Sequence, residues 1–337
     1  MTLRRFPSLT RIAPLARTDF DVQPLGRDAW ASGDYVVCDV TGEGSFRSLE
    51  LADGRMTEVF SGDVLVGALG RRHATLEVTG TFEVTEADGR MHLLTSAGLL
   101  GTETSHGVGI PSLLELRYRG HVIHDGEKAT MRRYVEPVEA RPYDTPTILL
   151  VGTSMSAGKT MAGKLVVRQL VRDGLRVVGA KLTGAGRLRD VLAFADAGAA
   201  AIYDFVDAGL PSTVVPEAEF EVALADLLPR IAAVEADVAV VEIGASPLEP
   251  YNGTAAIRAI QPHVVATILA ASDPYAVVGV MDAFDLQPDL VCGRATNTIA
   301  GIELAQRLAG VPALNITDPC AAAALDRLLR DRLAACG

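Results

Sequence analysis

Residues 148–164 read ILLVGTSMSAGKTMAGK. Four apolar residues lead into Gly152, small residues follow, and the loop closes on Gly158-Lys159-Thr160. A strand, a small-residue loop and a helix opening at Lys-Thr make a natural anion site. Successive backbone N–H groups converge on one point, and the helix N-terminus adds partial positive charge. A phosphate-binding loop is commonly written G-x-x-x-x-G-K-[ST]. Here the residue five before Gly158 is Thr153, and the nearest earlier glycine, Gly152, stands one place further back. The loop is therefore one residue longer than the common form. In such a loop Gly158 lets the backbone pass close to a phosphate. Lys159 reaches the β- and γ-phosphates, and the Thr160 hydroxyl is placed to ligate Mg²⁺.

Downstream, strands and helices alternate. A helix from Lys159 to about Arg172, closed by Gly174, is followed by the strand LRVVGAK. An alanine-rich helical stretch around 188–208, a short STVV and a helix at 218–234 come next. The later strands are DVAVVEIG, HVVATILA, DLVCG and PALNI, with helices around 274–284, 298–309 and 319–334. This rhythm predicts parallel crossovers and a sheet covered on both faces. Residues 34–135 read differently. DYVVCDV, GDVLVGALG, ATLEVTG, MHLLTSAG and LLELRYRGHVI are short β-rich runs separated by turn signals such as Asp53-Gly54 and Asp125-Gly126. They predict a compact antiparallel barrel or sandwich. EPVEARPYDTP at 136–146 reads as a linker. The expected fold class is α/β: a C-terminal P-loop NTPase-type domain over 141–337, preceded by a smaller β-rich domain over 1–140 that includes an N-terminal arm.

Bulk properties narrow the partners. The chain has 337 residues, 49% of them apolar, and a net charge of −11. Its pI is near 5.1 and its mean hydropathy +0.24. This balance argues against nucleic acid and anionic membranes as partners. The N-terminal stretch carries Arg4, Arg5, Arg11 and Arg17 but lacks the apolar core of a secretion signal, so an ordered arm is expected. A transit peptide is the rival reading. Cys38, Cys292, Cys320 and Cys336 form no C-x-x-C pair, which fits reduced thiols in a cytoplasmic protein. Of 31 basic residues only Lys128, Lys159, Lys164 and Lys181 are lysines. A lysine here is not a generic solubilising residue, and two of the four fall at expected phosphate-facing positions.

The longer loop, GTSMSAGKT, resembles that of dethiobiotin synthetase and its relatives, which carry a GTDT-x-x-GKT type of sequence. Gly152, Thr153, Gly158, Lys159 and Thr160 match, while Ser154 and Ser156 replace acidic residues, which makes biotin synthesis itself an unexpected activity. Met155 and Ala157 complete the loop. VVGAKLTGAG resembles the K-P-V-x-x-G segment of those enzymes, a resemblance that puts Lys181 where it faces the transferred phosphoryl group or a substrate carboxylate. An acidic residue ending an apolar strand beside the loop strand is placed to hold Mg²⁺, and Glu242 in VEIGAS fits this role. By the same resemblance Asp190 or Asp196 stands where a second Mg²⁺-binding aspartate is found, with Asp204 a comparable candidate. VEIGASPLEPYNG also resembles the D-glutamate N-acetyltransferase family, as does AIYDFVDAG at 201–209. There Glu249 stands where that family has histidine, replacing a neutral imidazole base by a carboxylate.

Both resemblances cover about residues 147–318. They imply an ATP- and Mg²⁺-dependent ligase or kinase acting on a small carboxylate or amino-acid substrate, with Lys159, Lys181 and Glu242 as its working residues. The alternatives are an N-acyltransferase using acetyl-CoA and a nucleotide-gated binding or chaperone protein. Recognition of the base falls to the last strand ends, where Asn297 and Asp318 are candidates and Gly293 takes the position of the synthetase asparagine. A homo-oligomer is expected.

Five of six histidines lie in the first half. HVIHDG suggests a metal site, yet strand residues three apart point to opposite faces, so His121 and His124 do not chelate without a bend. His106, in the glycine-containing stretch 103–112, reads as part of a turn, with reach into a neighbouring cleft as the alternative.

Overall fold

The computed structural model describes residues 3–42 and 44–335; Cys336 lies outside them. The chain divides into two compact units. One comprises Met1–Pro137, Ala185–Arg189 and Phe205–Ala223, the other Val138–Gly184, Asp190–Asp204 and Leu224–Gly337. Two segments that the sequence pattern assigns to the second domain, 185–189 and 205–223, thus cluster with the first.

Six strands organise the first unit: β1 Tyr35–Val40, β2 Val64–Leu69, β3 Val78–Thr81, β4 Arg90–Thr95, β5 Leu99–His106 and β6 Glu115–His124. Antiparallel pairing runs β2-β1-β6-β4-β5. A parallel pairing of β5 with β2, Leu99 opposite Ala68, closes the ring. Closure into a five-stranded barrel removes open edges from these strands. Alternate side chains, among them Val36, Cys38, Leu65, Met91, Leu93, Leu100 and Leu116, fill the core. The sequence pattern misses β5 because its second half, Thr102–His106, is polar and carries no apolar alternation. The first unit also buries Glu50 completely. Its Oε2 accepts from the Ser8 hydroxyl (2.5 Å) and the Leu188 amide (2.8 Å), and its Oε1 from the Arg189 amide (2.9 Å).

The second unit is built on β7 Thr147–Gly152, β8 Val177–Thr183, β9 Ala201–Asp204, β10 Val238–Ile243, β11 Val264–Ala270 and β12 Leu290–Cys292. All pair in parallel, in the order β9-β8-β10-β7-β11-β12. Its helices include α1 Lys159–Arg172, α2 Leu188–Asp196, α3 Glu217–Ala232, α4 Gly253–Ile260, α5 Pro274–Phe284, α6 Ile299–Ala309 and α7 Ala322–Ala334; α2 and α3 begin in residues of the first unit. Ile148, Leu150, Val240 and Ile268 share one core with Val166, Val167 and Leu170 of α1 and with Leu325 and Leu329 of α7. The alternate residues Leu149, Val151, Val241 and Leu269 are buried as well, so both faces are covered. This is why the strands read as unbroken apolar runs. The connection after β7 leads to one side of the sheet and that after its neighbour β11 to the other. In parallel sheets such a reversal opens a crevice at the carboxyl ends of the strands.

Two expectations fail here. The helix expected over 188–208 stops at Asp196. Gly198, at φ 106°, turns the chain, and Ala201–Asp204 becomes the edge strand β9. PALNI forms no strand and makes only a single bridge, Ala313 to Val291.

Candidate phosphate site

The loop 153–158 leaves β7 at the centre of the sheet and feeds straight into α1. Gly158, at φ 111°, makes the turn that aims the first helical amides back across the loop, a conformation L residues adopt at a cost. Gly152 is required for a different reason. A Cβ there would stand 2.7 Å from Lys159 Cδ, because the Lys159 side chain folds back directly over it. The extra loop residue does not disturb the strand end. The Thr153 amide donates to Ala270 O (3.1 Å), and its hydroxyl accepts from the Ser272 amide (2.9 Å).

Lys159 is 3% exposed. Its ammonium donates to Ser154 O (2.7 Å) in the loop and to Ala245 O (2.6 Å) beyond β10. Burial lowers its pKa to about 8, against the opposing pull of Glu242. It remains a cation at neutral pH, which is the charge a phosphate oxygen requires.

Thr160 Oγ1 donates to Glu242 Oε2 at 3.0 Å. Mg²⁺ takes oxygen ligands at about 2.0–2.1 Å in an octahedron, whose adjacent ligands stand about 3 Å apart. The Thr160–Glu242 pair therefore already has the length of one octahedral edge, and the donor set is two hard oxygens. The residues fit Mg²⁺ held by two protein atoms, with phosphate oxygens and water completing the shell. No group of three or more His, Cys, Asp or Glu suited to a metal occurs among the described residues. Burial raises the Glu242 pKa while Lys181 pulls it down.

Lys181 stands in register between Glu242 on β10 and Asp204 on β9, so three charged side chains form one row across adjacent strands. Its ammonium pairs with Asp190 Oδ2 at 2.5 Å. Burial works against its charge, but Asp190 and Glu242 outweigh it and raise the pKa. Asp190, expected as a metal ligand, has that oxygen engaged by Lys181, while Thr160 is joined to Glu242. Asp196 is exposed in the last turn of α2. Lys164 is half-buried along α1.

Of the remaining loop residues, Ala157 is buried, Ser154 and Met155 are half-buried, and Ser156 is exposed. Glu249 closes a turn, its Oε2 accepting from the Ser246 amide at 2.8 Å. Asp318 caps the turn before α7, and Asn297 is exposed. Gly293 packs against the loop itself, where a Cβ would meet Ala157 O at 2.4 Å. An asparagine there would collide with the phosphate loop. Sequence reading missed the structural role of Gly293 and the Thr153–Ser272 tie; a glycine directly after a strand was the one available signal. In the first unit His121 bonds Asp34 (3.2 Å) and Tyr118 (2.6 Å), while His124 bonds Tyr134 (3.0 Å). His106 bonds Glu103 (3.1 Å) and Ile110 O (2.8 Å), a turn arrangement. Cys38 and Cys292 are buried free thiols and Cys320 is exposed. No helix among the described residues is long and apolar enough to cross a membrane.

No protein-family model matches the chain, and no curated protein is significantly similar to it. Among solved structures, the 54 kDa signal recognition particle protein of Aeropyrum pernix in complex with GDP aligns over 59% of this chain and 50% of its own, with 16% identity and a TM-score of 0.34. The matched region thus spans half the length of that protein. HypB of Helicobacter pylori in complex with nickel aligns over 57% and 88%, with 14% identity and a TM-score of 0.35. A ParA family ATPase of Chlorobium tepidum aligns over 56% and 91%, with 14% identity and a TM-score of 0.32. Likeness this distant leaves the functional reading to the site's own geometry.

Proposed function

We propose that the second unit binds a nucleoside triphosphate with Mg²⁺ at 152–160 and transfers its terminal phosphoryl group to a small carboxylate-bearing metabolite. The observation that carries this reading is the Thr160–Glu242 pair, 3.0 Å across, next to the buried Lys159 ammonium. ATP is the nucleotide implied by the resemblance of GTSMSAGKT to the synthetase loop. When bound, Mg²⁺ would neutralise the β- and γ-phosphate charge. The chain's own part is positional and electrostatic. Loop amides and the start of α1 orient the phosphates, and Lys159 exchanges its carbonyl partners for phosphate oxygens. Lys181, clamped by Asp190, holds a fixed positive charge beside Glu242, where the acceptor oxygen would approach.

The test is phosphate release or transfer from [γ-³²P]ATP across a panel of small carboxylates and amino acids. Stimulation by one chemical class, lost in Glu242→Gln, supports the reading. Hydrolysis indifferent to every acceptor would replace it with a nucleotide-gated binding protein.

A further inference from the structure

The first unit carries a cleft of about 420 Å³, which lies within the ~300–1,000 Å³ of small-molecule sites. Its walls are Trp30 and Phe82, and its charged lining is Arg27, Arg71, Glu83 and Glu219. Two of these charges are fixed by each other. Arg71 gives Nε and Nη2 to the two carboxylate oxygens of Glu83 (3.0 and 2.7 Å) and Nη1 to Val214 O (3.2 Å). Trp30 is likewise settled, its indole N–H on Leu25 O (3.1 Å) and its ring against Tyr118 at 4.4 Å.

The other charges are not settled. Arg27 lies over the Trp30 ring at 4.2 Å and uses only Nη2, toward Phe82 O and Glu83 O (both 3.0 Å). Among the described residues its Nε and Nη1 have no protein partner, and the exposed Glu219 carboxylate accepts no hydrogen bond, though its charge acts on Arg71. The two line one small cleft, yet no ion pair joins them. Ser32, also in the lining, buries its Oγ without a partner. Buried polar atoms are normally satisfied by protein, water or ligand. The Ser32 hydroxyl is thus the buried group that the cleft leaves open, and the exposed Arg27 and Glu219 add a cation and an anion to the same lining.

We propose that this cleft binds a zwitterion with a flat apolar body, an aromatic α-amino acid. The carboxylate is received by Arg27 and Ser32, the ammonium by Glu219, and the ring by Trp30 and Phe82. A simple anion or cation would engage only one of these two charges.

Trp30 is the chain's one tryptophan, so its emission reports the cleft directly. The full chain is titrated with L-phenylalanine, 3-phenylpropanoate and 2-phenylethylamine. The expected result is a saturable emission change with phenylalanine, at least about tenfold weaker with either single-charge analogue. Arg27→Gln and Glu219→Gln should each weaken phenylalanine by a similar factor while leaving the melting temperature in place. Equal responses to all three compounds, or no saturable response to phenylalanine, tyrosine or tryptophan analogues, would overturn the proposal.

Discussion

Thr160 Oγ1 lies 3.0 Å from Glu242 Oε2, so the hydroxyl that opens α1 and the carboxylate that ends β10 share one point at the carboxyl edge of the sheet. If that point holds Mg²⁺, Glu242→Gln removes the charged ligand and keeps the shape. Nucleotide affinity measured with Mg²⁺ should drop at least about tenfold. Affinity measured with EDTA should change little. Equal losses under both conditions would point to a role for Glu242 other than holding the metal.

Lys159 covers Gly152 so closely that a methyl group at 152 displaces it. Gly152→Ala should weaken nucleotide binding by about tenfold or more, since a charge-assisted hydrogen bond is lost. The fold should tolerate the change, because the obstructing atoms belong to a flexible side chain. Calorimetric titration alongside a melting curve separates the two effects.

The Lys159 pKa, lowered to about 8 by burial, gives a pH signature of fixed sign. An anion favours the protonated lysine, so nucleotide affinity should fall as pH rises through about 8. Stability moves the other way. The folded pKa lies below the ordinary lysine value of 10.5, so between these values the unfolded chain binds more protons. Folding therefore gains stability as pH rises from about 8 to 10.5, by about 3 kcal/mol for this group. Below pH 8 the burial penalty is present in full. Lys159→Met should accordingly be more stable than wild type at neutral pH, with the advantage shrinking toward pH 10.5. Urea unfolding across that range checks it.

Glu50 is buried beneath three donated hydrogen bonds, two of them from the first amides of α2. Glu50→Ala leaves those amides and the Ser8 hydroxyl without an acceptor and should cost about 3 kcal/mol. Glu50→Gln keeps one acceptor oxygen and should cost less. Denaturant melts of the three proteins rank them.

Much of the second unit was legible because strands buried on both faces read as plain apolar runs and the loop has its own signature. Helix α1 runs from Lys159 to Arg172 as its glycine boundaries imply. Lys159, Thr160 and Glu242 come together as expected because each ends or begins an element at the same sheet edge. What stayed hidden depends on pairing between distant segments. The polar half of β5 is a strand only because β3 pairs with it, and Ala201–Asp204 because β8 offers an edge. The pairing of Asp190 with Lys181 was not readable, because β8 and α2 bring the two together only in the fold. The cleft around Trp30 gathers residues from four separate stretches, and no local pattern connects them.

The central claim is that 152–160 is a Mg²⁺–nucleotide site, and calorimetric titration of ATP into wild type and Lys159→Ala, with and without Mg²⁺, tests it most directly. The account predicts saturable, Mg²⁺-dependent binding to the wild type and at least about tenfold weaker binding to the variant. Wild-type affinity in Lys159→Ala, or no binding of any nucleoside triphosphate to the wild type, would contradict it.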